Sequence, residues 1–128
     1  GVGALEAARA AVFNERAMRL VPDDIRRRHF QQLENARCWQ PKPSLTSLVQ
    51  FQQHNLLEPL RQQSFDLALV KNVLISFDAT SKRTVRNHVR SVLAPGGLLV
   101  AGAAEGVSDL LKDMDRLQPW LFRKPAGA

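Results

Sequence analysis

Residues 65–101 read FDLALVKNVLISFDATSKRTVRNHVRSVLAPGGLLVA, and this stretch decides the fold class. Phe65-Asp66-Leu67-Ala68-Leu69-Val70 is nearly continuous in apolar residues, as a central parallel strand covered on both faces would be. Asp78 or Thr80 can cap the helix that follows. In that helix Val85, Val89, Val92 and Leu93 form an apolar stripe, while Lys82, Arg83, Arg86 and Arg90 look outward. Pro95-Gly96-Gly97 ends it, because glycine can take the left-handed conformation at a C-terminal cap. Leu98-Leu99-Val100-Ala101 is then a second buried strand. Strand, helix, Gly-Gly turn and strand make a βαβ unit with a right-handed crossover, so the class is α/β with a largely parallel sheet.

The reading weakens away from this centre. Downstream, Ser108 can cap a last helix carrying Leu110, Leu111, Met114 and Leu117, and Trp120-Leu121-Phe122 suits a terminal strand. Upstream, Val49-Gln50-Phe51-Gln52 alternates apolar and polar like a half-buried strand, and His54-Asn55-Leu56-Leu57 reads as its end and the following loop. Pro41 and Pro43 argue against helix between Cys38 and Leu48, where Trp39 and the Leu45–Val49 stretch could supply short strands. A helix starts near Pro22, with Asp23 and Asp24 at the positive end of its dipole. Ile25, His29 and Leu33 would share one of its faces, with Phe30 beside them. Leu5, Ala8 and Val12 recur at helical spacing in an alanine-rich first segment.

A chain of 128 residues allows one domain, residues 1–128, with one modest core. The formal net charge of +6 favours acidic partners. Its basic residues are dispersed apart from Arg26-Arg27-Arg28, which reads as a solvated helix face, and no aromatics interleave with them. A stacking platform for nucleic acid is therefore not expected. No apolar run approaches the ~20 residues of a spanning helix, so membrane insertion is not expected either. Gly1-Val2-Gly3-Ala4 does not resemble a secretory signal, and the single cysteine, Cys38, fits a reducing, cytoplasmic setting. His29, His54 and His88 are not at metal-ligand spacing, so no metal is expected.

Three segments together resemble one family. They are Phe51-Gln52-Gln53-His54-Asn55-Leu56-Leu57, then Phe65 to Asp78 with its Asn72-Val73-Leu74-Ile75 core, then Leu93-Ala94-Pro95-Gly96-Gly97 through Glu105. Their order and spacing are similar to the CheR-type methyltransferases, which move a methyl group from S-adenosylmethionine to glutamate side chains of chemotaxis receptors. The likeness continues through Ala4-Leu5-Glu6-Ala7-Ala8-Arg9, Arg27-Arg28-His29-Phe30 and Phe122-Arg123-Lys124, so it covers residues 4–124. It implies a partial Rossmann-like methyltransferase sheet, mostly parallel, with flanking helices. It also implies S-adenosylmethionine as cofactor, with S-adenosylhomocysteine as product, and the cytoplasmic region of a chemotaxis receptor as partner. By the same resemblance Asn55 and Leu56 lie beside the adenine, and Asn72 and Val73 lie against the cofactor at the carboxyl end of the central strand. Ligands of open α/β sheets are expected there. Lys71 is the candidate for steering an acidic substrate. No catalytic residue is assigned, since a glutamate carboxylate is already ionised near neutral pH and needs no base.

The sequence departs from the family at several positions. Val70-Lys71 stands for the usual Cys-Arg, Ser76 for a tyrosine, and Ala103-Ala104 for His-Ser. The family's Gly-rich loop for the methionine moiety and its acidic residue for the ribose are not in these 128 residues. The chain is therefore expected to be an N-terminally truncated domain with an incomplete cofactor site. The strand at Phe65 would then have an exposed edge that a second copy could cover. The alternative is a non-catalytic interaction module that keeps the methyltransferase fold.

Overall fold

The structure is a computed structural model, and it describes residues 2–34, 37–61, 64–71, 73–74, 77–102 and 110–127. The chain forms two compact units, Gly1–Gln53 and His54–Ala128.

In the first unit, helix α1 spans Val2–Ala10 and contains Leu5 and Ala8 of the expected stripe. Ala11 adopts a φ of 52°, a conformation that costs a non-glycine residue energy. The helix therefore stops before Val12, which is half exposed instead of continuing the stripe. Strand β1 is Phe13–Asn14, and the Asn14 side chain caps helix α2, Glu15–Met18, by accepting from the Ala17 amide at 2.9 Å. Helix α3 is Asp23–His29, beginning after Pro22 as the sequence predicts, with acidic residues in its first turn and basic ones in its last. Phe30 is already extended and opens strand β2, Phe30–Gln32, so Leu33 does not share a helical face with Ile25 and His29.

Strand β3, Cys38–Pro41, contains Trp39 and sits between the other two in the antiparallel order β1-β3-β2. Trp39 lies opposite both Phe13 and Gln32. Pro43 opens a short helix α4, Pro43–Thr46, which places Leu45 in a helix and not in a strand. Proline lacks the amide that a first helical turn leaves unbonded anyway, so here it starts a helix that the sequence reading had argued against. Val49–Gln52 belongs to no strand. Val49 and Phe51 instead help line an open groove of about 490 Å³ together with Ala8, Phe13, Pro41 and Leu45.

The second unit carries the βαβ element. Strand β4, Phe65–Val70, leads to helix α5, Ala79–Val92, and strand β5, Leu93–Ala101. Asp78 caps α5, its Oδ1 accepting from the Ser81 amide at 2.7 Å. β4 and β5 pair in parallel, with Leu67 beside Leu98 and Val70 beside Ala101. Val85 and Val89 of α5 join Leu74, Leu93, Leu99, Ala101, Leu111, Met114 and Phe122 in one core. Ala68 and Val70 turn towards that core, whereas Phe65, Leu67 and Leu69 on the opposite face of β4 are exposed. β4 is thus covered on one face only, not on both.

The chain ends in an antiparallel hairpin, β6 Asp115–Gln118 and β7 Leu121–Arg123, and the sheet order is β4-β5-β7-β6. The α/β class stands, but the described sheet is mixed: its one parallel pair is β4–β5. The connection through Pro119-Trp120 is too short for a parallel crossover, so β6 and β7 must run antiparallel. The helix expected over Leu110–Leu117 does not form, since residues 110–114 are turns and Leu117 lies in β6. Ser108, its expected cap, lies outside the described residues.

Candidate functional site

The residues singled out by the sequence sit on two segments of the second unit. The first follows β4. Lys71 is exposed just past the strand end and forms no ion pair with the described residues. Val73 is 39% exposed, and Leu74 beside it is buried at 4%. The Leu74 carbonyl accepts from the Phe77 amide at 3.0 Å, which turns the chain towards α5. Asn72, Ser76, Ala103 and Ala104 lie outside the described residues.

The second segment is the turn at residues 54–58. Asn55 is exposed, and its Oδ1 accepts from the Leu57 amide at 3.0 Å. Its own carbonyl accepts from the Glu58 amide at 2.9 Å. This is the asparagine turn that the residue type favours. His54 Nε2 is 3.0 Å from the Glu58 carbonyl, closing the turn from its other end. Leu56 packs against the same core cluster as Val70 and Leu74. One core therefore anchors both the turn and the segment after β4. Sequence reasoning missed a further link: His88 of α5 places Nδ1 3.2 Å from the Leu56 carbonyl. A contact between residues 32 apart leaves no trace in local spacing.

Chemically, the two segments offer a side-chain amide and apolar side chains. The Asn55 oxygen is occupied within its turn, which leaves the Nδ2 amide group without a hydrogen bond to the described residues. Leu56 is packed against the core and Val73 is 39% exposed. The groove of the first unit contains none of the predicted residues. Among the described residues no group of three His, Cys, Asp or Glu side chains is placed to hold a metal, and no helix is long and apolar enough to cross a membrane.

Comparison with known proteins gives this geometry a family. A model described as CheR methyltransferase, SAM binding domain, matches residues 2–119. Chemotaxis protein methyltransferase 1 of Pseudomonas aeruginosa is 36% identical over 109 residues, covering 83% of this chain and 39% of that protein. The chemotaxis protein methyltransferase of Vibrio parahaemolyticus is 33% identical over 124 residues, 94% of this chain and 45% of its own length. That of Listeria innocua is 30% identical over 95 residues, 74% of this chain and 36% of its own. The chain spans less than half the length of each of these relatives. The family match runs through the βαβ element, the 54–58 turn and the three-stranded unit alike, and the chain belongs to the CheR methyltransferase family, within its S-adenosylmethionine-binding domain.

Proposed function

We propose that this chain forms the adenine-binding part of an S-adenosylmethionine site, in a cytoplasmic protein that methylates glutamate carboxylates of chemotaxis receptors. The single observation that supports this most is the shared anchoring of Leu56, Val70 and Leu74, which ties the 54–58 turn and the end of β4 to one core. Asn55 and Leu56 lie beside the adenine, and Asn72 and Val73 lie against the cofactor at the carboxyl end of β4. Exposed Lys71 attracts the acidic substrate. Residues 1–128 work as one partial methyltransferase domain, since the family match crosses both units. The free edge of β4 pairs with a second copy of the chain.

When bound, S-adenosylmethionine supplies a methyl group on a positively charged sulfur, ready for direct displacement. The acceptor carboxylate has an ordinary pKa of about 4.3 and is ionised near neutrality. The residues of this chain therefore need supply no general base. Their task is to fix the adenine, and through it the distant reacting end, and to keep water from the apolar surface around Leu56 and Val73.

Calorimetric titration of the chain with S-adenosylhomocysteine tests the reading. Micromolar binding is expected, and Asn55→Ala should weaken it about fivefold, the worth of one hydrogen bond. No binding up to millimolar ligand would instead point to an interaction module that keeps the fold without the site.

A further inference from the structure

We infer that His88 is a positioning residue for the cofactor site: from helix α5 it holds the Leu56 carbonyl and so fixes the turn that presents Asn55. The inference rests on the adenine reading of Asn55 given above.

The turn has few ties of its own. Leu57 and Glu58 donate to Asn55, and His54 reaches the Glu58 carbonyl, but all these bonds run within the turn. They shape it without attaching it to anything. Among the described residues two contacts attach it, the packing of Leu56 on the core and the His88 Nδ1 to Leu56 carbonyl bond at 3.2 Å. Packing of one leucine resists withdrawal of the turn but leaves it free to rotate about that side chain. A hydrogen bond has direction, and one placed on the backbone of the same residue removes that rotation.

α5 is a suitable base for such a strut. It is a 14-residue helix capped by Asp78 and locked into the core by Val85 and Val89. His88 adjoins Val89, and its ring is partly buried, so it cannot swing freely. A carbonyl oxygen can only accept, so Nδ1 carries the proton in this bond. Aiming of a binding group through a packed, oriented neighbour is how sites gain their precision.

Two substitutions separate the hydrogen bond from the bulk of the ring. His88→Leu keeps apolar volume and removes the donor. His88→Asn keeps a donor close to the place of Nδ1. Amide hydrogen exchange of Leu57 and Glu58 reports the turn, exchange across α5 reports the helix, and calorimetry with S-adenosylhomocysteine reports the site. In His88→Leu, exchange at Leu57 and Glu58 should rise about fivefold or more and ligand affinity should fall by about the same factor, with α5 unchanged. His88→Asn should restore most of both. Unchanged exchange in His88→Leu overturns the strut. Faster exchange with undiminished affinity overturns its role in positioning. A wild-type chain that binds no ligand, and whose Asn55→Ala variant is the same, overturns the adenine reading itself and this inference with it.

Discussion

Lys124 carries a charged group into the interior of the second unit, where it is 8% exposed. Its Nζ donates to the Arg90 carbonyl at 3.0 Å and the Leu93 carbonyl at 2.9 Å, at the C-terminal end of α5. A cation there meets the negative end of the helix dipole and adds a second donor to the Arg90 carbonyl, which also accepts from the Leu93 amide. Lys124→Met should cost about 1 kcal/mol of stability in urea unfolding, because the Leu93 carbonyl loses its lysine donor and the Arg90 carbonyl keeps only the Leu93 amide. An unchanged midpoint would mean that water replaces the amine. Asp78 works at the other end of α5. The backbone hydrogen bond from Ser81 holds its carboxyl below the usual aspartate value. Its contribution is therefore complete above the usual aspartate range and is lost as pH falls through the lower value of the folded state. Asp78→Asn keeps an acceptor, so acid titration followed by far-UV circular dichroism should show a shallower loss of helix than in the wild type. The Asp78 cap was legible in the sequence because a cap is a local pattern. The partners of Arg86 and Arg90 were not. Both were expected to face outward, yet they lie 3.3 Å and 2.9 Å from Asp113, which comes from beyond β5. His88 escaped the sequence for the same reason, and the proposed roles of Asn55, Leu56, Lys71, Asn72 and Val73 come from the family resemblance and not from local pattern.

Among elements, those whose pattern is both periodic and strongly apolar were readable. β4 and α5 lie where the sequence predicts, because a 3.6-residue stripe between two apolar runs admits few other folds, whereas β5 starts at Leu93 and takes in Pro95-Gly96-Gly97, which the sequence reading makes a turn. The glycines within β5 do more than punctuate. Gly96 has a φ of 80°, and a Cβ on Gly97 would come within 2.8 Å of the Ala94 carbonyl oxygen and 3.1 Å of that of Phe65. The second of these belongs to β4, so Gly97 lets the parallel strands approach. Gly97→Ala should destabilise the unit by about 2 kcal/mol through overpacking. Chemical denaturation reads this directly, and a loss below that of Gly96→Ala would show that the strands yield easily. Elements with ambiguous patterns were misread. Leu110, Leu111, Met114 and Leu117 fit a helix by spacing, but Arg116 pairs with Phe122 across the β6–β7 hairpin, and that tertiary pairing overrides local preference. Val49–Gln52 shows the converse case, in which alternation alone does not make a strand.

For the molecule as a whole, the sheet edge and the net charge make opposing demands on association. β4 ends the sheet order, and Phe65, Leu67 and Leu69 are 42%, 52% and 66% exposed along one of its faces. An open edge beside an apolar face favours pairing with another strand. A second copy brings a complementary edge, but each copy carries a formal charge of +6, and the two repel. Salt screens that repulsion over a length of about 8 Å at physiological strength and leaves the apolar contact intact. Self-association should therefore strengthen as salt rises, the reverse of binding to nucleic acid, which salt weakens steeply. Sedimentation velocity at micromolar concentration across a salt series checks this. Leu67→Lys with Leu69→Lys, both at exposed positions, should shift the population to monomer while α5 keeps its helical signal. A wild type that stays monomeric at every salt concentration would sink the dimer, and the edge of β4 would then need a different cover.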